Sequence, residues 1–310
     1  MTVRRRYVVA CLAGHGIGPE VTAAASRTLA RLGGEHGFVV EELHPPFDTE
    51  ALTRSGHHLP AVTREATMSA DAVLVAGDAA PALDGLRAGL DLGASVTRVL
   101  DETGEATLFA PLHNHATDWT LSRAFATGRA RAGRVTSVGV DGGFTSLVDH
   151  HAERHPGVEV EHVSLKEALR RLSSGSAGVV VAEGVLGEAL SSAPRLNGKR
   201  RLVATGQLSP TGPGLFAPAH GTSSDLAGQG MADPSAMLLA TALLLSEGLG
   251  RVAAGEALED SLTLALRAPR RPSEASGPGV AATTREFVDA VLGLLPSARR
   301  DTEFALGVVR

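Results

Sequence analysis

Residues 215–237, Leu-Phe-Ala-Pro-Ala-His-Gly-Thr-Ser-Ser-Asp-Leu-Ala-Gly-Gln-Gly-Met-Ala-Asp-Pro-Ser-Ala-Met, decide how this chain is read. They form a Gly- and Ser-rich loop holding one His and two Asp, closed by Pro234 and followed by the apolar run Ala236 to Leu245. A loop of this composition can wrap a nucleotide. Gly221, Gly228 and Gly230 let backbone N–H groups approach a ligand, His220 can stack on or hydrogen-bond a base, and Asp225 can accept from a ribose hydroxyl.

At the other end of the chain, Val8 to Ala13 reads as a buried strand. Gly14-His15-Gly16-Ile17-Gly18-Pro19-Glu20 then turns into a helix beginning near Val21. Either glycine string alone is weak evidence, but the two in this order carry more. Together they resemble the isocitrate and isopropylmalate dehydrogenases, decarboxylating 2-hydroxyacid dehydrogenases that write the turn G-D-G-I-G-P-E and the loop E-P-x-H-G-S-A-P-D-I-A-G-x-G-I-A-N-P.

Composition sets the outer bounds. The 310 residues are 43% apolar and carry a net charge of −5, enough for a large core and two domains. No basic face interleaved with aromatics is present, so nucleic acid is not an expected partner. Arg4-Arg5-Arg6 precedes only a short apolar stretch, and Ala236 to Leu245 falls short of the roughly 20 residues a bilayer requires, so no membrane association is expected. The single cysteine, Cys11, cannot form an internal disulfide and reads as a small core residue. A cytoplasmic protein is the expectation.

Short β-type runs alternate with helical periodicity, which predicts an α/β fold with a largely parallel sheet flanked by helices. Strands are expected at 7–13, 38–43, 72–77, 135–141, 158–163, 178–182 and 201–205. Helices are expected at 20–33, 60–68, 118–131, 144–154, 165–173, 184–192, 233–247, 255–267 and 281–294. The stretch from Pro269 to Gly279, rich in Pro, Arg, Ser and Gly, reads as a flexible loop. The family resemblance adds a two-domain organisation with a cleft between the domains. It places a nucleotide-side domain at 1–107 plus 199–310 and a smaller central domain at 108–198. Leu108-Phe109-Ala110 matches the family crossing, and Val138 to Gly143 falls where the family strand ends V-D-K-A-N.

The resemblance implies cofactor-binding roles for Gly16, Ile17, His220, Gly221, Asp225, Leu226, Ala232 and Asp233. Asp225-Leu226 stands where the family's NAD-users carry Asp-Ile; a carboxylate accepts from a ribose 2′-OH and repels a 2′-phosphate, so NAD is the expected cofactor. Asp233, in front of Pro234, reads equally as a helix N-cap. His15 replaces the aspartate of the family turn and Ala217 a glutamate of the loop.

On the substrate side the family pattern thins. The resemblance implies a lysine, a tyrosine, three substrate arginines and three metal aspartates. Gly142 occupies the lysine position, and the chain's one tyrosine, Tyr7, heads the first strand. Of the metal carboxylates, Glu188 matches one, while Ser192 and the neighbourhood of Ser164 match the others. One carboxylate is too few for Mg²⁺ or Mn²⁺, which want around six oxygens, unless substrate and water supply most of them. Arg98 matches the first substrate arginine, and His113 takes the second position. A hairpin that carries further catalytic residues and clasps the family dimer is missing between His115 and Asp118. Lys166 reads either as a solvated helix lysine or as a group reaching the cleft. The His113-Asn114-His115 pair reads as an anion or proton site or as a polar loop, and His150, His151, His155 and His162 as a solvated helix face or a metal cluster.

The candidate catalytic set is therefore Glu188, His113, Arg98 and Lys166, with Glu188 the metal ligand, acting on a small-molecule substrate in a homodimer. Two functions of different class are consistent with it. One is a divergent NAD-dependent oxidoreductase acting on a small 2-hydroxyacid. The other is a catalytically inactive relative, a pseudoenzyme that keeps the fold, with or without NAD binding, and acts as a binding or regulatory protein.

Overall fold

A computed structural model gives the architecture and describes residues 4–76, 80–101, 104–131, 133–174, 177–196, 201–219, 221–267, 271–272 and 281–296. His220, Lys199 and most of the loop 269–279 lie outside the described residues. The chain divides into two units, Met1–Asp91 with Thr211–Arg310, and Leu92–Pro210.

In the first unit the order is β1 (Arg5–Leu12), α1 (Gly18–His36), β2 (Phe38–Leu43), α2 (Asp48–Ser55), α3 (Ala61–Ser69), β3 (Ala72–Val75) and α4 (Ala80–Gly89). The second unit contributes β4 (Ala94–Asp101), β5 (Gly104–Pro111), α5 (Thr117–Arg131), β6 (Arg134–Val138), α6 (Gly142–Arg154), β7 (Glu159–His162), α7 (Leu165–Ser174), β8 (Gly178–Ala182), α8 (Gly184–Leu196) and β9 (Leu202–Leu208). The chain then re-enters the first unit with β10 (Gly214–Pro218), α9 (Ser235–Leu243), α10 (Val252–Leu266), β11 (Arg271–Pro272), β12 (Ala281–Ala282) and α11 (Thr284–Gly293).

The first unit's strands lie in the order β2-β1-β3-β10, all parallel. Their sequences say why: Val9 to Leu12 and Ala72 to Val75 are buried without alternation, the mark of strands covered on both faces. The covering helix α9 is buried around almost its whole circumference, as a central helix must be. It was expected as one helix over 233–247; instead the α-helix ends at Leu243 and a π turn follows over Leu244–Gly248, with Leu249 N–H donating to Leu244 C=O at 2.9 Å. The wider turn sets Gly248 against Phe216, whose ring atoms would lie 2.8 Å from a Cβ there.

The second unit's order is β9-β4-β5-β8-β6-β7, antiparallel at β9/β4/β5 and parallel beyond. The expected domain boundaries at 107/108 and 198/199 fall inside this unit, because β4 pairs along its length with both β5 and β9 and holds all three together. The mixed but largely parallel α/β architecture is as expected. Strands β4, β5 and β10 and helices α2 and α4 were not. β4 escapes sequence reading because polar Thr97 and Arg98 are buried in its middle, which erases any alternation.

Candidate functional site

The two glycine-rich segments singled out by sequence are brought into contact. Ile17 N–H donates to the Thr222 carbonyl at 2.9 Å, and Gly16, at φ +63°, approaches so closely that a Cβ would lie 2.1 Å from the same oxygen. Glu20, in the first turn of α1, reaches the far end of the loop. Its carboxylate accepts from Ala232 N–H at 2.9 Å and from Gly230 N–H at 3.3 Å. The Thr284 hydroxyl, at the start of α11, lies within hydrogen-bond reach of both the Glu20 carboxylate and the Ala232 carbonyl, and Thr284 N–H donates to Gly230 C=O at 2.8 Å. A carboxylate at the positive end of α1 suits the helix dipole as well. One acidic side chain thus ties two helix starts to the loop. Sequence reading missed Glu20 as a functional residue, although it stood at the end of the turn motif.

Several residues expected to contact the cofactor also hold the loop. Gly16, Ile17 and Ala232 are spent on these clasps, and the Ala232 N–H is committed to Glu20. Asp233 Oδ1 accepts from Ser235 N–H at 2.9 Å and from the Ser235 hydroxyl, while the N-cap position of α9 falls to Pro234 rather than Asp233. Gly221 is exposed. Asp225 is exposed on a short 3-10 turn over Ser224–Leu226, with Leu226 half-buried behind it. Gly228 and Gly230 adopt φ +74° and +68°, and nothing lies within 4 Å of a Cβ at either, or at Gly221. The loop therefore presents a carboxylate beside open, glycine-lined backbone, an arrangement that fits the ribose and phosphates of a dinucleotide.

His15, the departure from the family turn, has a partner of its own. Its Nδ1 bonds one oxygen of Asp48, and His58 Nδ1 lies 3.3 Å from the other. Asp48 is buried at φ +57°, a left-handed conformation that Asp and Asn tolerate better than other side chains. Burial raises the Asp48 pKa, but the hydrogen bond and charge of His15, with smaller help from Thr49 and His58, outweigh it, and the carboxyl titrates below its ordinary value. A depressed carboxyl stabilises the fold above the unfolded pKa and loses that contribution as pH falls through the folded one. Asp48→Asn keeps the left-handed preference and removes the charge. It is expected to melt lower than the parent at neutral pH, with the gap closing below about pH 4; a gap unchanged down to pH 3 in a melting series would refute the ion pair.

The substrate-side residues are placed separately. Arg98 is fully buried in β4, with Glu105 Oε2 at 3.6 Å, and Glu105 also takes Arg131. Its guanidinium has no exposure and stands as a buried ion-pair partner in this conformation. His113 is exposed and stacks on His115, ring centroids 5.4 Å apart, at the entry to a 3-10 turn over Asn114–Ala116. The chain passes from β5 through that turn directly into α5, so no hairpin is inserted there. Lys166 is exposed on α7, whose neighbouring Glu167 is held at about 2 by hydrogen bonds from Arg170 and Arg171. Glu188 and Ser192 are exposed one turn apart on α8, and Ser164 accepts from Glu167 N–H at the start of α7. Among the described residues no three His, Cys, Asp or Glu ligands gather at Glu188. One carboxylate with two serines does not make a site for Mg²⁺ or Mn²⁺.

Other expectations resolve structurally. Tyr7 is buried edge-on to Phe38 with the Arg5 and Arg251 guanidinium carbons 5.1 and 5.4 Å from its ring. Asp141 caps α6, accepting from Gly143 and Phe144 N–H, and Gly142 beside it has open space where the family lysine would project. His151 is not solvated: it is wholly buried, with Nε2 on Asp118 at 2.8 Å and its carbonyl taken by His155. No helix among the described residues is long and apolar enough to cross a membrane.

Residues 140–291 match the family model described as isocitrate/isopropylmalate dehydrogenase. The 3-isopropylmalate dehydrogenase of Prochlorococcus marinus is 30% identical, over 89% of this chain and 95% of that protein. That of Bacillus thuringiensis subsp. konkukian is 29% identical, over 92% and 95%. In fold, a β-decarboxylating dehydrogenase from Thermococcus kodakarensis superposes with TM-score 0.77 at 22% identity, covering 93% of this chain and 96% of its own. An isocitrate dehydrogenase from Methylococcus capsulatus gives 0.73 at 19%, covering 94% and 99%.

Proposed function

This chain belongs to the isocitrate/isopropylmalate dehydrogenase family, and from that premise we propose that it is a divergent NAD-dependent oxidoreductase acting on a small 2-hydroxyacid. The observation that carries the reading is the clasped loop: Ile17 and Glu20 fix its two ends, leaving exposed Asp225 beside Gly228 and Gly230. Asp225 and the glycine-lined backbone would hold the dinucleotide, which supplies the hydride acceptor when bound. His113, an exposed imidazole, is the base proposed for the hydroxyl proton, since hydride removal from an alcohol requires one such acceptor. Lys166 and Glu188, both exposed, are proposed for the substrate's carboxylate and hydroxyl ends. Metal-assisted decarboxylation is not part of the proposal. The working unit is proposed as a homodimer paired through helices, without the clasp hairpin.

A second reading rests on a specific set of observations. With glycine at position 142, Tyr7 in the core and Arg98 enclosed, this chain suits a pseudoenzyme that binds NAD without turnover.

The deciding experiment is thermal unfolding with NAD, NADH and NADP. Ligand at 100 times its dissociation constant adds about 2.7 kcal/mol, a shift of several degrees. NAD and NADH are expected to stabilise and NADP not, with Asp225→Ser weakening the preference. Absence of any nucleotide shift would sink both readings. A shift without NADH formation across a panel of 2-hydroxyacids would select the pseudoenzyme.

A further inference from the structure

We propose that Cys11, Glu42 and His44 form a binding site for a thiophilic divalent cation, Zn²⁺ by the chemistry of its donors. The pairing of β1 with β2 sets Val9 opposite Glu42 in parallel register. With side chains alternating along each strand, Cys11, Glu42 and His44 therefore share one face of the sheet. The three ligand atoms lie within 4.8 Å of one another, and they are the one such group of three among the described residues.

The spacing fits a tetrahedral ion. With metal–ligand distances of about 2.0–2.3 Å, neighbouring vertices of a zinc tetrahedron lie about 3.4–3.6 Å apart. Cys11 Sγ is 3.7 Å from Glu42 Oε2, and His44 Nε2 is 3.2 Å from the same oxygen. Sulfur, imidazole nitrogen and carboxylate oxygen are the three donor types zinc accepts, and three protein ligands leave the fourth position for water. The donor set is wrong for Mg²⁺ or Mn²⁺, which take oxygens. Surroundings complete the site. The Ser26 hydroxyl, from α1, bonds Glu42 Oε2 and fixes the carboxylate, as second-shell donors do. Cys11 is buried while the His44 side chain is 55% exposed, so an ion has an entry from solvent and a thiol shielded from it. Without metal the same three groups form a hydrogen-bonded cluster on Glu42, which is the competing account.

The test uses the full chain, dialysed against chelator and titrated with Zn²⁺ and then Co²⁺. One equivalent of each is expected to bind, and the cobalt form is expected to show a thiolate-to-metal charge-transfer band in the near ultraviolet. Because the chain has one cysteine, that band can come from Cys11 alone. Cys11→Ser should abolish the band. Losing a ligand should weaken binding at least as much as the roughly 10- to 100-fold typical of losing a second-shell partner. His44→Ala, at the exposed end of the cluster, should weaken binding similarly while lowering the melting temperature of the metal-free chain only slightly, since it removes one half-exposed contact to Glu42, which keeps the test valid if Cys11→Ser folds poorly. No stoichiometric binding, cobalt bound without the band, or His44→Ala binding as tightly as the parent would overturn the site and leave the hydrogen-bonded cluster as its explanation.

Discussion

Gly16→Ala is expected to destabilise the first unit by about 3 kcal/mol or more and to abolish nucleotide-dependent stabilisation. Two penalties act together. The residue sits at φ +63°, where an L side chain costs about 1–2 kcal/mol, and its Cβ would lie 2.1 Å from the Thr222 carbonyl oxygen. That oxygen cannot retreat without breaking its bond from Ile17 N–H, so the loop must move. Gly37→Ala separates the two causes, because Gly37 has φ +75° with nothing within 4 Å of a Cβ and suffers the conformational cost alone. Urea unfolding of both variants should rank Gly16→Ala well below Gly37→Ala; equal losses would show that the turn and loop are not in contact as described.

Removing the Glu20 carboxylate is expected to cost about 2–4 kcal/mol, since the Gly230 and Ala232 N–H groups lose their acceptor at once and the Thr284 hydroxyl is left with the Ala232 carbonyl alone. Glu20→Gln should retain part of this, because its one remaining oxygen cannot serve all three donors. In a double-mutant cycle with Thr284→Val, the coupling should be about 1–2 kcal/mol, as the two side chains meet directly. Additive losses would place Thr284 outside the network. The nucleotide thermal shift should fall in Glu20→Ala too, since Gly230 and Ala232 lose their anchor while Asp225 is untouched.

Much of this site was legible in the chain because glycine strings with fixed neighbours report backbone demands directly: Gly14, Gly16, Gly228 and Gly230 all take positive φ. The roles within the strings were less legible. Ile17 and Ala232 stand in motifs that the resemblance assigns to the cofactor, but position in a motif does not say which way an N–H points. The tertiary pairing gave those donors to Thr222 and Glu20. Arg98 illustrates the same limit, since a residue's type and its distance from a motif carry no information on burial. Only the pairing of β4 with both β5 and β9 encloses it beside Glu105.

By itself the sequence determined the α/β class, the two glycine-rich motifs, the scarcity of residues matching the family's catalytic pattern and the impossibility of an internal disulfide. Each follows from local periodicity, backbone preference or a simple count. Tertiary structure alone decided that Glu20 binds the loop to α11, that Asp48 stands between two histidines, that His151 is core, and that Cys11 faces Glu42 and His44. These rest on contacts between residues far apart in the chain, or on strand register, where a slip of one residue would turn Glu42 to the opposite face.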